Sequence, residues 1–145
     1  MTQKLTVRLV GRDLPGAECG ERGEYRDVHV AVQRGPAPEA PVRADAPEAV
    51  FTFEVSVLQA PDGTPDFRGP HVQGKRGERF FYLTWGELPS GGDFTMFRRA
   101  KLWFADMPPA RVAAGRMAGS VGLTDGEGMP VCAGVRPPEV VWEAG

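Results

Sequence analysis

A glycine-rich segment with several cationic side chains, residues 59–78, contains the residue types best suited to binding chemistry in this sequence. Glycines allow a loop to turn its backbone amides toward a bound anion, and cationic side chains add charge-assisted hydrogen bonds. A loop of this length in a short chain is usually functional or disordered. The segment suggests a site for a small anionic molecule or an acidic protein surface, although a run of surface charge is more often a solvated, mobile loop. Its cationic residues are Arg68, His71, Lys75 and Arg76.

Arg98 is the second feature of interest, because period-two alternation over residues 94–104 places it in an otherwise apolar row of side chains. A buried guanidinium requires a partner, and Glu54 or Asp66 could supply the carboxylate of a structural ion pair. In the functional alternative, Arg98 faces a cavity, where its planar fork binds a carboxylate or a phosphate. The candidate ligand-binding residues are Arg68, His71, Arg79, Tyr82 and Arg98.

Residues 69–76 resemble a phosphate-binding loop, G-x-x-x-x-G-K, with Arg76 where Ser or Thr would bind magnesium. Such a loop follows a buried strand and begins a helix. Here, a strand-like aromatic run over residues 80–85 follows the segment. We therefore expect no nucleotide site of this kind.

The cysteines and histidines predict neither a metal site nor a cofactor. Cys19 and Cys132 are too few and too distant in sequence for a zinc site, and only His29 and His71 could add nitrogen ligands. The serines lie in no nucleophile elbow and beside no histidine. Asp66 could orient His71 as a general base within the same loop.

Alternation of apolar and polar residues with a period of two predicts strands at residues 5–9, 28–32 and 51–57. Two aromatic runs, residues 80–85 and 94–104, flank a Ser-Gly-Gly-Asp turn. These runs predict an antiparallel hairpin at the middle of the sheet.

The remaining segments predict an extended connection, one helix and three short strands. Residues 35–49 contain four prolines, which predicts an extended connection at the edge of the sheet. The one predicted helix, residues 110–118, follows two prolines and would cover one end of the sheet as a lid. Further strands are expected at residues 120–124, 131–135 and 139–142.

These elements predict an all-β fold, an antiparallel barrel or sandwich of about seven to eight strands with one short helix near residues 108–118. We expect a single domain over residues 1–145. The formal net charge of −2 gives no overall field that would attract nucleic acid or an anionic membrane. No apolar run is long enough to span a bilayer, and the first residues lack the features of a signal peptide. The expected protein is therefore cytoplasmic, with no nucleic-acid or membrane partner.

Three stretches of the sequence are familiar in combination: DFRGP (66–70) leading to RFFYLTWG (79–86), then FTMFRRAKL (94–102), then GLTD (122–125) with CAGVRPP (132–138). Together they resemble an uncharacterised bacterial family of single-domain proteins, found mainly in high-GC actinobacteria and described as a domain of unknown function. The resemblance covers nearly the whole chain. It implies no particular activity, so no site residue is transferred from it.

The leading hypothesis is a non-enzymatic binding domain whose residues 59–79 and Arg98 contact a small anionic molecule or an acidic protein partner. One alternative is a self-associating module, such as a homodimer, that uses the surplus of aromatic residues on its strands. The other is a small β-barrel enzyme of secondary metabolism, with Tyr82, His71 and Arg98 in a closed apolar cavity. A filled or a hollow interior distinguishes these alternatives.

Overall fold

The computed structural model describes residues 2–12, 26–44, 46, 49–122 and 140–144, which form nine strands in two sheets. The inner faces of the sheets share one hydrophobic core, so the all-β class is confirmed. In spatial order, the first sheet consists of β5 (Pro65–Arg68), β4 (Val50–Gln59), β1 (Thr2–Arg12), β8 (Arg116–Gly122) and β9 (Val140–Trp142). The second consists of β3 (Ala37–Arg43), β2 (Val28–Arg34), β6 (Phe80–Glu87) and β7 (Thr95–Trp103).

The central strand of the first sheet is β1, and its alternating sequence explains that position. Leu5, Val7 and Leu9 are fully buried, and each lies opposite an apolar residue of the antiparallel strand β4. On its other side β1 pairs with β8 in parallel, which differs from the wholly antiparallel fold predicted. β1 and β8 are not consecutive in the chain, so no tight turn forces the two strands to run in opposite directions.

In the second sheet, β6 is an inner strand with buried side chains on both faces. Phe81, Leu83 and Trp85 are fully buried on the core side, and Phe80 and Thr84 are almost completely buried on the outer side. β6 and β7 form the predicted antiparallel hairpin. Among the described residues, however, β7 lies at the edge of the sheet, so the prediction that both strands occupy its middle is wrong for β7.

The proline-rich residues 35–49 contain a paired strand, β3, which corrects the expectation of an unpaired connection. Gly35 has φ of 58° and forms the turn from β2. Proline is tolerated at a sheet edge because its missing N–H can face away from the neighbouring strand. Ala40 and Pro41 lie where the register between β2 and β3 shifts, so the pairing accommodates them as an irregularity.

A 3₁₀ turn, Phe104–Asp106, and a short helix, α1 (Pro109–Ala113), connect β7 to β8. The predicted helix near residues 108–118 is present but shorter, because Gly115 adopts φ of 82° and β8 begins at the next residue. The predicted strands at 120–124 and 139–142 correspond to β8 and β9, and the one at 131–135 lies outside the described residues.

Candidate functional site

The glycine-rich segment 59–78 is folded against the first sheet instead of forming the long loop that the sequence predicts. Within it, β5 pairs antiparallel with β4, placing Phe67 opposite Val57. Further along, Gln73 pairs with Phe80 at the start of β6 in a single antiparallel bridge. The prediction of one long loop is therefore wrong. A four-residue strand with one large buried side chain is too short to show a periodic pattern in the sequence.

Two of the candidate residues, Arg68 and Arg79, meet at the carboxylate of Asp66. Nε of Arg68 donates to Oδ2 of Asp66 at 2.8 Å, and Nε of Arg79 donates to Oδ1 at 3.1 Å. Arg79 also donates through Nη1 to the carbonyl oxygen of Gly74. These two hydrogen bonds, first that of Arg79 and then that of Arg68, lower the pKa of Asp66 below its ordinary value. The carboxylate thus stays charged and is shared by the two cations.

The other two cations of the segment also face carboxylates. Nζ of Lys75 lies 3.5 Å from Glu78, and Nη2 of Arg76 lies 3.6 Å from Asp62, both at the surface. Several backbone amides of the segment donate within the fold, including that of Gln73 to the carbonyl of Phe80. The turns in this part of the chain are therefore paired within the protein. Fewer of their amides and cationic side chains are available to bind an anion than the sequence predicts.

His71 is buried between the two sheets. Its Nε2 lies 3.0 Å from Oε1 of Glu39 on β3, and its ring stacks on Phe53 of β4 with a centroid separation of 4.6 Å. Nδ1 is buried and has no hydrogen-bond partner in the structure. The carboxylate beside His71 is thus Glu39 instead of Asp66. Because it joins β3 to the opposite sheet, His71 acts as a structural contact in this fold.

Arg98 lies opposite Trp85 on the core side of β7 and is half-buried. Partial burial lowers the pKa of its guanidinium. Glu54 pairs with Lys4 at 3.4 Å, and Asp66 pairs with the two arginines above, so both carboxylates considered as partners of Arg98 have other cations.

A register shift just before Arg98 changes the face of the sheet to which the first side chains of β7 point. Trp85 lies opposite Arg98, whereas Gly86 lies opposite Met96, so Phe97 is the extra residue of a β-bulge. Met96 is consequently 45% exposed. The predicted single apolar row from residue 94 to residue 104 is therefore wrong at its beginning.

Tyr82 lies on the outer side of β6, away from the core, where the guanidinium of Arg99 sits 4.3 Å from its ring centroid. The five candidate residues therefore do not converge on one site. Arg68 and Arg79 share a carboxylate, and His71, Tyr82 and Arg98 lie in three other environments.

A cavity of about 670 Å³ lies at one end of the two sheets, and we call it the end cavity. It lies between the first residues of β1, the ends of β4 and β5, and the connection that contains α1. The rings of Phe67 and Phe104 stack with centroids 4.6 Å apart and form one wall. Its other apolar side chains include Val57, Met107 and Val112.

Polar groups in the end cavity are few and uncharged. Thr2, Gln3 and Gln59 line it, and no charged side chain does so among the residues that the structure describes. Nε2 of Gln3 donates to the carbonyl oxygen of Ala113 at 2.7 Å, which joins the start of β1 to the end of α1. α1 thus covers this end of the fold, in the position expected of a lid.

Sequence reasoning did not identify the end cavity, because its walls come from segments far apart in the chain. The available signal was the spacing of Phe104, Met107 and Val112 after the strand β7, which gives a short connection with a buried side. The short helix that follows two prolines predicts a lid, but the empty volume beneath it depends on side-chain packing that no local pattern encodes.

In the described part of the chain, no group of three or more His, Cys, Asp or Glu side chains is placed to hold a metal ion. No helix there is long and apolar enough to cross a membrane. Cys19 and Cys132 lie outside the described residues.

Comparison with known proteins gives one match. A family model described as "Family of unknown function (DUF5990)" matches residues 5–145. No curated protein and no solved structure matches the chain.

Proposed function

We propose that this chain, which belongs to the family of unknown function DUF5990, binds a small, uncharged and largely apolar molecule in its end cavity. The observation that carries the proposal is the size of this cavity, about 670 Å³, together with its uncharged lining. Small-molecule sites are typically clefts of about 300–1,000 Å³, lined by apolar and aromatic side chains with a few polar groups.

The lining defines the chemistry of the ligand. The stacked rings of Phe67 and Phe104 offer an aromatic wall, and Val57 and Val112 add aliphatic surface. A charged ligand would lose its hydration there without gaining an opposite charge, which is unfavourable. The amide of Gln59 at the rim supports a single hydrogen bond to a hydroxyl or carbonyl group of the ligand.

Binding of an anion by residues 59–79 and Arg98 is the leading hypothesis from the sequence, and the geometry at Arg68 and Arg79 gives it less support. Both cations already donate to Asp66, so an anion would have to displace a charge-assisted hydrogen bond. The enzyme alternative also lacks a supporting observation, since the end cavity is lined by none of Tyr82, His71 and Arg98.

A neutral fluorescent probe tests the proposal directly. N-phenyl-1-naphthylamine is uncharged and brightens in an apolar environment, so we expect its emission to rise saturably on titration with the protein. Ala113→Phe adds a ring to a residue that lines the end cavity and should weaken probe binding by about tenfold, equivalent to about 1.4 kcal/mol.

Ala110→Phe is the matched control, because Ala110 is exposed on the same helix and does not line the end cavity. This variant should bind the probe as the wild type does. Absence of saturable binding, or equal binding by the wild type and Ala113→Phe, would overturn the proposed function.

A further inference from the structure

The outward side of the β6–β7 hairpin combines three aromatic rings with two cations. The strand register places Phe80 opposite Trp103, and Tyr82 opposite Lys101. The ring of Phe80 contacts both aromatic neighbours, with centroids 5.0 Å from Tyr82 and 5.1 Å from Trp103. We call this set of five residues the β6–β7 outer face: Phe80, Tyr82, Arg99, Lys101 and Trp103.

The cations of the β6–β7 outer face rest on rings, not on carboxylates. The guanidinium of Arg99 lies 4.3 Å from the ring centroid of Tyr82. Nζ of Lys101 lies 4.5 Å from that of Phe80 and 5.5 Å from that of Trp103. Both cations are exposed, and neither forms an ion pair in the described part of the chain. Within the described residues, no carboxylate pairs with either cation, whereas Arg68 and Arg79 share the carboxylate of Asp66.

We propose that the β6–β7 outer face binds an acidic, extended segment of a partner protein. Tyr, Trp and Arg are the residue types that contribute most binding free energy at protein interfaces, and all three are present here. Ring contacts hold Arg99 and Lys101 in place before binding, which reduces the side-chain entropy lost on association.

Strand geometry specifies the pattern of acidic residues that would fit. Arg99 and Lys101 are alternate residues of β7, and alternate residues of a strand point to the same side at a spacing of about 7 Å. An extended partner segment has the same spacing, so carboxylates at alternate positions would lie opposite the two cations. An apolar side chain at the next alternate position would reach Trp103, which is 38% exposed.

Single-stranded nucleic acid fits this face less well. Its bases bind proteins by stacking on open aromatic faces. Arg99 covers the ring of Tyr82, Lys101 lies over that of Phe80, and Phe80 is only 8% exposed. The rings are thus occupied by the cations, whereas the charges remain accessible to carboxylates.

The test titrates the protein with a synthetic peptide of alternating glutamate and threonine and follows backbone amide NMR shifts. We expect saturable shifts confined to β6 and β7, and binding that weakens as salt is added. The double variant Arg99→Ser with Lys101→Ser should bind the peptide at least about tenfold more weakly, because both attractive charges are lost.

A matched double variant controls for net charge. Arg8 and Arg116 are exposed and lie on the outward side of the first sheet, on adjacent strands. Replacing both by Ser removes the same charge from the opposite surface and should leave peptide binding within about twofold. All four residues are exposed, so neither double variant should prevent folding.

Three results would overturn this proposal: no saturable shifts, equal weakening by the two double variants, or an oligothymidylate that binds the β6–β7 outer face more tightly than the glutamate peptide. The end cavity plays no part in the experiment. The outcome of the peptide experiment is therefore independent of whether the end cavity binds a small molecule.

Discussion

Replacing Asp66 by Asn should destabilise the fold, because this carboxylate is the shared acceptor of two arginines. Asp66 is 7% exposed and lies on β5, beside the phenylalanine that forms a wall of the end cavity. Asn keeps one acceptor oxygen but removes the negative charge. The guanidinium of Arg79, which is largely buried, then remains without a counter-charge.

The magnitude follows from the exposure of the two donors. The side chain of Arg79 is 15% exposed, so its bond to Asp66 belongs to the class of hydrogen bonds to charged groups, about 1.5–3 kcal/mol. That of Arg68 is 60% exposed, and such pairs contribute about 0–1 kcal/mol. Arg79 retains its bond to the Gly74 carbonyl oxygen. We therefore expect a loss of about 2 kcal/mol in the free energy of unfolding.

Urea denaturation measures this loss. With a denaturant slope of about 1–3 kcal/mol/M, the midpoint for Asp66→Asn should fall by about 1 M at an unchanged slope. Glu54→Gln is the control, because the Lys4–Glu54 pair is exposed on both sides and should contribute less than about 1 kcal/mol. Equal midpoint shifts for the two variants would refute the assignment of Asp66 as a buried, shared acceptor.

We also expect the loss of stability in Asp66→Asn to depend on pH. The folded pKa of Asp66 lies below its ordinary value of 3.8, since Arg79 and then Arg68 donate to the carboxylate. A lowered pKa stabilises the folded state fully above the unfolded pKa, and this contribution disappears as the pH falls through the folded pKa. The difference in stability between the wild type and Asp66→Asn should therefore shrink below about pH 4. A difference that stays constant down to strongly acidic pH would contradict this sign.

Two further substitutions, each with a comparison variant, test the segment around the site. Gly74→Ala should cost more than about 1 kcal/mol in unfolding free energy, because φ is 84° and the new Cβ would collide with the carbonyl oxygen of Glu78. Gly77→Ala, at φ of 87° with nothing within 4 Å, should cost less, and equal losses would show that the collision is absent. His71→Ala should cost about 2–4 kcal/mol, because it removes the ring stacked on Phe53 and leaves a void. His71→Phe should recover part of that loss in the same denaturation assay, and no recovery would contradict the role of stacking.

The strands with one face on the core and the aromatic strand β6 could be predicted from sequence, whereas β3 and β5 could not. The alternation at residues 5–9 and 51–57 reflects side chains that point to the core and to solvent in turn. β3 was missed because its prolines favour a loop locally, and pairing with β2 depends on a neighbour outside the segment. β5 was missed because four residues are too few for a pattern.

Residue type predicted which side chains are charged, but it did not predict their partners. Arg68 and Arg79 lie 11 positions apart and meet at one carboxylate because the chain turns between β5 and β6, where Gln73 pairs with Phe80. The β-bulge at Phe97 likewise changes which side chains share a face with Arg98, and no local signal in the sequence marks it. The end cavity follows from how β1, β5 and α1 pack, which is a property of the assembled fold.

The most direct test of the central claim, that the end cavity binds an uncharged apolar molecule, is an NMR structure determination with bound N-phenyl-1-naphthylamine. We expect nuclear Overhauser contacts from the naphthyl protons to the methyl groups of Val112 and Met107 and to the rings of Phe67 and Phe104. Contacts confined to the exposed β6–β7 outer face, or no contacts at a saturating concentration of the probe, would contradict the claim.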